Sequence, residues 1–301
     1  MHGKCSVKGI SINARIFQLP MNADQEKQYT RDFVVTDDGA VSFRCDDNVK
    51  EWPWLALHPA TNTVVQLVNY YSLTGVSSAR DHHDPGKWTA LTSFQWKTYA
   101  TGPDARHATH GVADPKPSDD NIDYAATFFD ADGALVYRVS GTGVVFQNRD
   151  FKAWREKAKS KIMALPEPVG FKFAAPEAAG VATAAECFIS DIVDGDTIVV
   201  DALITDTSGF GPTHPYHDGS GDHVNSTHIC DTAQQAAHAI RARSGKGGYP
   251  NGGSVVFNRY IELNRLFRIV LVSDPSPLEK MALRLEQGGK SCAEVVFCYD
   301  D

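Results

Sequence analysis

The same order of predicted elements occurs twice along the 301-residue chain. In the first half, strand-like runs lead to an apolar helical stretch from about Ala60 to Thr74, and further strand-like runs follow from Trp88. The second half repeats this order around a helical stretch from about Ser226 to Arg243. A repeated order of elements indicates tandem duplication. The chain therefore divides into three predicted segments: residues 1–150, a connector at 151–168, and residues 169–301.

Both helical stretches are apolar on almost every side, as in VVQLVNYY and ICDTAQQAAHAI. A helix without a polar face is typically buried all round, so the neighbouring strands would have to enclose it. Asp132-Gly133 and Gly288-Gly289 each separate two strand-like runs, which predicts antiparallel hairpins, and a further pair of strands is predicted around Asp194-Gly195. The predicted fold class is α+β, with two repeats in which an antiparallel sheet wraps around a long central helix.

Two segments interrupt this pattern. The connecting segment carries six lysines and arginines between Arg149 and Lys161 and ends in Pro166 and Pro168, which predicts a charged helix followed by a linker. Residues 103–123 are rich in Pro, Asp, Gly and His and lack periodicity, which predicts a long loop. Long loops in compact domains are usually functional or disordered, so this one would be either a lid or an insertion.

Composition excludes several classes of function. A net charge of −8 argues against nucleic acid as the main partner, because phosphate binding needs a basic surface. No apolar run is long enough to span a membrane and no secretory segment is visible, so we expect a cytoplasmic protein. The six cysteines are scattered, which is typical of reduced, buried thiols. No glycine-rich phosphate loop, Cys-x-x-Cys pair or Gly-x-Ser-x-Gly motif occurs, and no cofactor is predicted.

The most unusual stretch runs from His214 to Ile240, HPYHDGSGDHVNSTHICDTAQQAAHAI, and holds five histidines and three aspartates. Asp231 lies inside an otherwise apolar helix, where a carboxylate costs free energy unless it is paired or used. His217 precedes it by 14 residues in a predicted loop. A histidine and a carboxylic acid together suit general acid–base chemistry, and Gly221 would let the backbone approach a substrate closely.

A metal site is the alternative for this stretch, because its loop holds ligands of suitable type. They are His214, His217, Asp218, Asp222 and His223. Pro215 keeps the first two off a helix, and the DHHD cluster from Asp81 to Asp84 is followed by Pro85-Gly86, which indicates a loop. We therefore favour acid–base chemistry and predict no metal.

The segment HDGSGDHVNSTHICDTAQQAA resembles the active-site segment of the hotdog β-hydroxyacyl dehydratases of fatty-acid and polyketide synthesis. In that family a His is followed 14 residues later by an Asp or Glu near the start of a helix, as His217 and Asp231 are here. Asp231 and Gln235 also resemble the D-x-x-x-Q element of polyketide dehydratase domains. The spacing from Asp222 to Asp231 is similar to that in A-factor-synthase-like proteins, although Asn225-Ser226 replaces their Pro-Gly. The resemblance implies a double hotdog fold.

The resemblance further implies that a histidine of one repeat meets the acid of the other. When the two repeats are overlaid through His58 and His223, Gln66 stands opposite Asp231. Asp231 would then meet a first-half residue such as His58, and the loop residue His217 would meet Gln66 or Asn62. In hydratases of the MaoC type both groups come from one repeat instead, which would pair His217 or His223 with a loop aspartate.

These alternatives share one set of candidate residues. The candidate catalytic residues are His217, Asp231, His223 and His58. The candidate substrate-binding residues are Gly221, Asp222, Asn225, Gln235, Asn62 and Gln66.

The predicted function is that of a dehydratase or hydratase acting on a β-hydroxyacyl thioester or a related carbonyl compound. Acyl transfer or thioester hydrolysis on the same fold is one alternative, and non-catalytic ligand binding is another. The implied substrate is a small molecule carried by coenzyme A or an acyl carrier protein. The connector cations would be either solvated or a rim for the phosphates of that carrier. The resemblance also leaves room for a homodimer, and it implies neither a membrane partner nor a cofactor.

Overall fold

The computed structural model describes residues 15–16, 28–80, 88–115, 122–146, 151–208, 223–273 and 279–300. Within these ranges twelve strands form one sheet, and every neighbouring pair of strands is antiparallel. The strands are β1 (Arg15–Ile16), β2 (Thr30–Val35), β3 (Val41–Cys45), β4 (Trp88–Thr98), β5 (His110–Ala113), β6 (Ile122–Phe129), β7 (Leu135–Phe146), β8 (Val199–Ala202), β9 (Gly252–Phe257), β10 (Phe267–Leu271), β11 (Lys280–Gln287) and β12 (Lys290–Cys298).

Four α-helices accompany this sheet in the described part of the chain. They are α1 (Asn62–Ala79), α2 (Phe151–Met163), α3 (Pro176–Ala179) and α4 (Ser226–Arg243). Two short 3-10 helices cover Pro53–Ala56 and Ala184–Glu186. Of the helices within the described ranges, none combines the length and the apolar character that crossing a bilayer requires.

The pairing of β4 with β9 joins the two halves of the chain. Across the sheet the strand order is β1-β2-β3-β5-β6-β7-β4-β9-β12-β11-β10-β8, so all strands before residue 147 lie on one side of this pair. The pairing runs from Ser93 opposite Val256 to Lys97 opposite Gly252. The two halves therefore share one continuous sheet, as the sequence predicts for a tandem repeat.

The sheet has two distinct faces. Along β4, Phe94 and Trp96 are buried whereas Gln95 and Lys97 are exposed, because successive side chains of a strand point to opposite sides. Val255 of β9 and Phe297 of β12 are likewise fully buried. We call the face that carries these buried side chains the inner face and the opposite one the outer face.

The long helices α1 and α4 contact each other and the sheet, and their buried residues belong to one hydrophobic core. Ala233, Ala236 and Ala237 are fully buried on α4, and their small side chains allow neighbouring elements to come close. On α1 a Cβ atom at Gly75 would lie 2.2 Å from the ring of Phe33, so only glycine fits where α1 crosses β2. The arrangement is the double hotdog that the sequence predicts.

Most of the predicted elements are confirmed. The helix predicted from Ser226 to Arg243 has those bounds, and the helix predicted from Ala60 forms as α1 but extends to Ala79. The turns at Gly133 and at Gly288-Gly289 connect paired antiparallel strands, and all three glycines have positive φ values, which L side chains rarely adopt.

Two predictions about local structure are wrong. The segment 103–123 is not one long loop, because His110–Ala113 forms β5 and pairs with both β3 and β6. The hairpin predicted around Asp194-Gly195 does not form two full strands either. Its first arm makes only isolated bridges, at Ile189 and Val193, to the region of β8. Both segments lack a continuous hydrophobic alternation, so their pairing depends on neighbours that are distant in sequence.

The connector forms the predicted charged helix, α2, but one of its cations is buried. The side chains of Arg155 and Glu262 are 7% and 3% exposed and make two hydrogen bonds of 2.6 and 2.7 Å. The guanidinium of Arg155 also lies 4.6 Å from the centre of the Tyr260 ring. Lys157 and Lys161, in contrast, are exposed. The helix is therefore anchored to the second half through Arg155.

We predict that Glu262→Gln destabilises the fold by about 3–5 kcal/mol, because it leaves the Arg155 charge buried without its counter-charge. Urea unfolding measures this loss. The matched control is Asp132→Asn in the ion pair of Arg106 and Asp132, whose side chains are 62% and 71% exposed. That variant should lose at most about 1 kcal/mol. Equal losses in both variants would contradict a structural role for the buried pair.

Candidate functional site

Asp231 lies in the second turn of α4 and faces the start of α1. The residue is only 7% exposed, and its carboxyl oxygen Oδ1 accepts a 2.7 Å hydrogen bond from the hydroxyl of Thr63. Thr63 is the second residue of α1 and is itself buried. The acid of the second half is therefore held by a side chain from the first half.

The start of α1 makes further polar contacts with α4. The backbone N–H of Asn62 donates a 2.5 Å hydrogen bond to the Gln234 side-chain oxygen. This bond supplies a partner for one of the helix-terminal N–H groups that the helix itself cannot satisfy. The side-chain oxygen of Asn62 accepts a 3.3 Å hydrogen bond from Gln66. The two predicted amide residues Asn62 and Gln66 thus lie at the same helix contact as Asp231.

Gln235 links α4 to the segment that precedes β8. Its side-chain oxygen accepts a 2.9 Å hydrogen bond from the N–H of Phe188, and its amide donates a 2.8 Å hydrogen bond to the carbonyl of Glu186. Both bonds fix the orientation of the Gln235 side chain, which lies one turn after Asp231 on α4. Gln235 therefore connects α4, next to Asp231, to the backbone of Glu186 and Phe188.

Burial raises the pKa of Asp231 from 3.8 to about 6. The hydrogen bond from Thr63 opposes this shift, the charge of Glu186 adds to it, and a hydrogen bond from Gln235 opposes it. The physical cause is that a buried carboxylate loses its hydration, which favours the neutral form. At neutral pH the group is consequently close to the point at which it exchanges its proton.

The thiol of Cys230, next to Asp231 in sequence, does not ionise near neutral pH. Burial raises the pKa of Cys230 to about 12, although a hydrogen bond from Asn62 lowers it. The thiol is therefore neutral at physiological pH, and only a thiolate is a strong nucleophile. Of these two neighbouring groups, only Asp231 has a pKa close to neutral pH.

His228 shares a face of α4 with Asp231, because residues three apart on a helix are neighbours. Its side chain is buried, and its ring meets the Phe188 ring edge-on at 5.5 Å between centres. The backbone N–H of His228 donates a 2.8 Å hydrogen bond to the side chain of Asn225, which caps the start of α4. Asn225, a predicted substrate-binding residue, thus has a capping contact in the described structure.

His58 lies just before α1, and both of its ring nitrogens contact backbone groups. Nδ1 accepts a 3.1 Å hydrogen bond from the N–H of Ala60, so Nε2 carries the proton and donates it to the carbonyl of Gly102 at 2.9 Å. The ring also stacks on Tyr249 of the second half, with centres 4.3 Å apart. Both ring nitrogens of His58 therefore have partners in this arrangement, and proton transfer by His58 would require one of these bonds to break.

The remaining predicted residues are His223, which is described, and three residues before it, which are not. The ring of His223 contacts that of Tyr260 at 4.5 Å, beside the cation of Arg155. The candidates His217, Gly221 and Asp222 lie outside the described residues. The predicted pairing of His217 with Asp231 therefore stays a prediction. Within the described ranges, no three potential ligands of the His, Cys, Asp and Glu types come together as a metal site would require.

Three residues of the site are not predicted from the sequence: Thr63, Gln234 and Glu186. Thr63 carries a weak signal, since a hydroxyl at the start of an apolar helix needs a partner. Gln234 and Glu186 carry none, because they contact the site across long intervals of sequence. The observed partner of Asp231 from the first half is Thr63, which lies one turn before Gln66 on the same helix.

Comparisons with known proteins support the fold. No protein-family model and no curated protein sequence matches the chain. Among solved structures, it is similar to a protein described as an oleoyl thioesterase from Lactobacillus plantarum, with 12% identity, 87% of this chain and 96% of the other covered, and a TM-score of 0.52. It is also similar to an acyl-ACP thioesterase from Bacteroides thetaiotaomicron, with 9% identity, 87% and 97% coverage, and a TM-score of 0.51. The double hotdog fold predicted from the sequence is confirmed.

We predict that Asp231→Asn stabilises the protein above pH 6 and leaves its stability unchanged near pH 4. Because the folded-state pKa of Asp231 is raised to about 6, the native state binds more protons than the unfolded state between the two pKa values. The free energy of unfolding of the wild type therefore falls as the pH rises through this window, by on the order of 3 kcal/mol.

The measurement is urea unfolding of both proteins at several pH values. Asp194→Asn is the matched control, because Asp194 is an exposed partner of Arg243 whose pKa is lowered, not raised. This control should show no gain in stability at high pH. A parallel pH dependence of wild type and Asp231→Asn would contradict the raised pKa.

Proposed function

We propose that the chain acts on acyl thioesters and that Asp231 transfers protons in the reaction. The observation that carries this proposal is a buried carboxyl group with a pKa of about 6 at the contact between α1 and α4. None of the ion pairs formed by the described residues includes Asp231. A carboxyl group that is buried without a counter-charge and titrates near neutral pH is typical of a functional site.

Dehydration of a β-hydroxyacyl thioester, or the reverse hydration, is the first candidate reaction. A base takes a proton from the carbon next to the thioester carbonyl, and the electrons of that C–H bond form the double bond. The C–O bond at the following carbon breaks, and an acid protonates the departing oxygen so that water leaves. We assign the acid role to Asp231 in its protonated form.

The base of this reaction is proposed to be a histidine. His217 is the first candidate on the strength of the family resemblance, and His223 is the second, since it follows His217 closely in sequence and lies just before α4. His228 is a further candidate because it shares the helix face of Asp231. The amides of Asn62 and Gln66 at the start of α1 are proposed to bind the thioester portion of the substrate, since side-chain amides offer both donors and acceptors.

Thioester hydrolysis is the second candidate reaction. It needs only one carboxylate to activate water, and the described contacts of the site centre on a single carboxyl group, that of Asp231. Two proteins of similar structure are described as thioesterases, which makes hydrolysis a reasonable alternative on this fold. Non-catalytic binding of an acyl ligand is the third outcome that the experiments below distinguish.

The carrier of the substrate is proposed to be coenzyme A or an acyl carrier protein. The connector helix offers exposed cations, such as Lys157 and Lys161, for the phosphates of such a carrier. We also propose a cytoplasmic location and a homodimeric assembly, both of which rest on the sequence alone.

We predict that Asp231→Asn lowers turnover by about 100-fold or more, since removing a general acid or base typically costs that much. β-Hydroxyacyl and saturated acyl thioesters of coenzyme A are offered in parallel. Formation of the conjugated enoyl thioester, followed by its ultraviolet absorbance, reports dehydration, and appearance of free thiol reports hydrolysis. Asp194→Asn should keep wild-type turnover, and so should any exposed carboxylate variant outside the site.

We further predict that Thr63→Val shifts the pH profile of turnover to higher pH. The Thr63 hydroxyl stabilises the ionised carboxylate, so its loss raises the pKa of Asp231 further. If Asp231 acts as an acid, activity extends to more alkaline pH; if it acts as a base, the rise of activity is delayed to higher pH. An unchanged profile in Thr63→Val, or full turnover in Asp231→Asn with every substrate, would refute the assigned role.

A further inference from the structure

Three cations lie in one row across the outer face of the sheet. Strand pairing places Arg138 of β7 opposite Lys97 of β4, and Lys97 opposite Gly252 of β9. The same row continues through Cys298 of β12 to Lys280 of β11. Residues that face each other across antiparallel strands point to the same side of a sheet. The register alone therefore aligns Arg138, Lys97 and Lys280, and we call these three residues the cation row.

All three side chains are exposed, and no ion pair or hydrogen bond joins them to another described residue. Some other exposed cations of the described chain do have such partners. Arg243, for example, makes two 2.7 Å hydrogen bonds to Asp194. In a chain with a net charge of −8, a row of three cations without a charged partner among the described residues is a local departure from the overall charge.

The cation row borders a groove that crosses the seam between the two halves. Two adjoining depressions of about 570 and 380 Å³ share Gln95, Trp96 and Lys97 in their walls. The outer-face residues that line them are mostly small or polar: Ala125, Thr127, Ser140, Gly252 and Ser254. A Cβ atom at Gly252 would lie 2.8 Å from the backbone oxygen of Trp96, so glycine is required where β9 approaches β4 beside Lys97.

A single carboxylate, Asp114, also lines the groove at one end. The guanidinium of Arg80 donates a hydrogen bond to the Asp114 backbone carbonyl and interacts electrostatically with the Asp114 side chain, which partly offsets this charge. The cation row supplies the remaining charges along the groove, and these are all positive.

We infer that the cation row is a docking surface for the acidic face of another protein. From β7 to β11 the row crosses four strand intervals of about 4.8 Å each, which amounts to roughly 19 Å. Cations spread over that distance do not converge on one phosphate group, whereas they match several carboxylates on a protein surface. Complementary charge of this kind chiefly speeds association and selects the partner. Because the row lies on the outer face, a bound partner would leave the α1–α4 contact uncovered.

The experiment compares two variants of the full chain that carry the same change in charge. The first replaces the cation row by Lys97→Glu, Arg138→Glu and Lys280→Glu. The matched control is Lys50→Glu, Lys172→Glu and Lys290→Glu, three exposed lysines outside the row. The probe is a fluorescein-labelled peptide of glutamates, titrated by fluorescence anisotropy at low ionic strength. We expect at least tenfold weaker binding in the row variant and a change below threefold in the control.

Three results would overturn this inference. Equal weakening in both variants would mean that the peptide responds only to net charge. Displacement of the peptide by inorganic phosphate or coenzyme A would identify a small-anion site instead, provided that sodium chloride of the same ionic strength does not displace it. Self-association of the wild type in sedimentation velocity, lost only in the row variant, would identify a second copy of the chain as the partner.

Folding of the row variant is checked by circular dichroism and thermal unfolding. If the charge-reversed protein does not fold, the neutral variant Lys97→Gln, Arg138→Gln and Lys280→Gln takes its place, with the same expectation of at least tenfold weaker binding. The test is independent of Asp231, so a failure of the proposed enzymatic function and a failure of the docking surface are distinguishable.

Discussion

The antiparallel pairing of β4 with β9 is the constraint on which the rest of the structure depends. It makes one sheet out of two halves, and the inner face of that sheet brings α1 of the first half against α4 of the second. Only this contact places Thr63 within hydrogen-bond distance of Asp231. The same pairing places Lys97 opposite Gly252 on the outer face, so the cation row continues from the first half into the second. The candidate site and the proposed docking surface both follow from this one junction.

The buried carboxyl of Asp231 works against the stability of the fold. Burial raises its pKa to about 6, so that at higher pH the native state contains a charge that has lost its hydration. Sequences keep such groups where function needs them, because stability and activity often oppose each other at an active site. The bond from Thr63 and the orientation imposed by Gln235 reduce this cost without removing it. Arg155 and Glu262 are different, since each of these buried charges has its counter-charge.

Local patterns predict the elements better than the contacts between them. The helix from Ser226 to Arg243 and the turn at Gly133 follow from apolar periodicity and from the conformational freedom of glycine, both of which are local properties. The strand β5 is not predictable in this way, because four residues from His110 to Ala113 form a strand only between two existing partners. The isolated bridges near Ile189 show the reverse case, in which a strand-like sequence lacks a continuous partner.

The sequence by itself determined that the chain repeats one order of elements, and that Asp231 is an unusual residue within an apolar helix. Both conclusions rest on patterns within short segments. The tertiary structure alone decided that Thr63 is the partner of Asp231 and that Arg155 pairs with Glu262, contacts between residues 168 and 107 positions apart. It also decided the alignment of the cation row, since a shift of one residue in strand register would turn Lys97 to the opposite face. Distant contacts depend on how all the elements pack together, and no single segment carries that information.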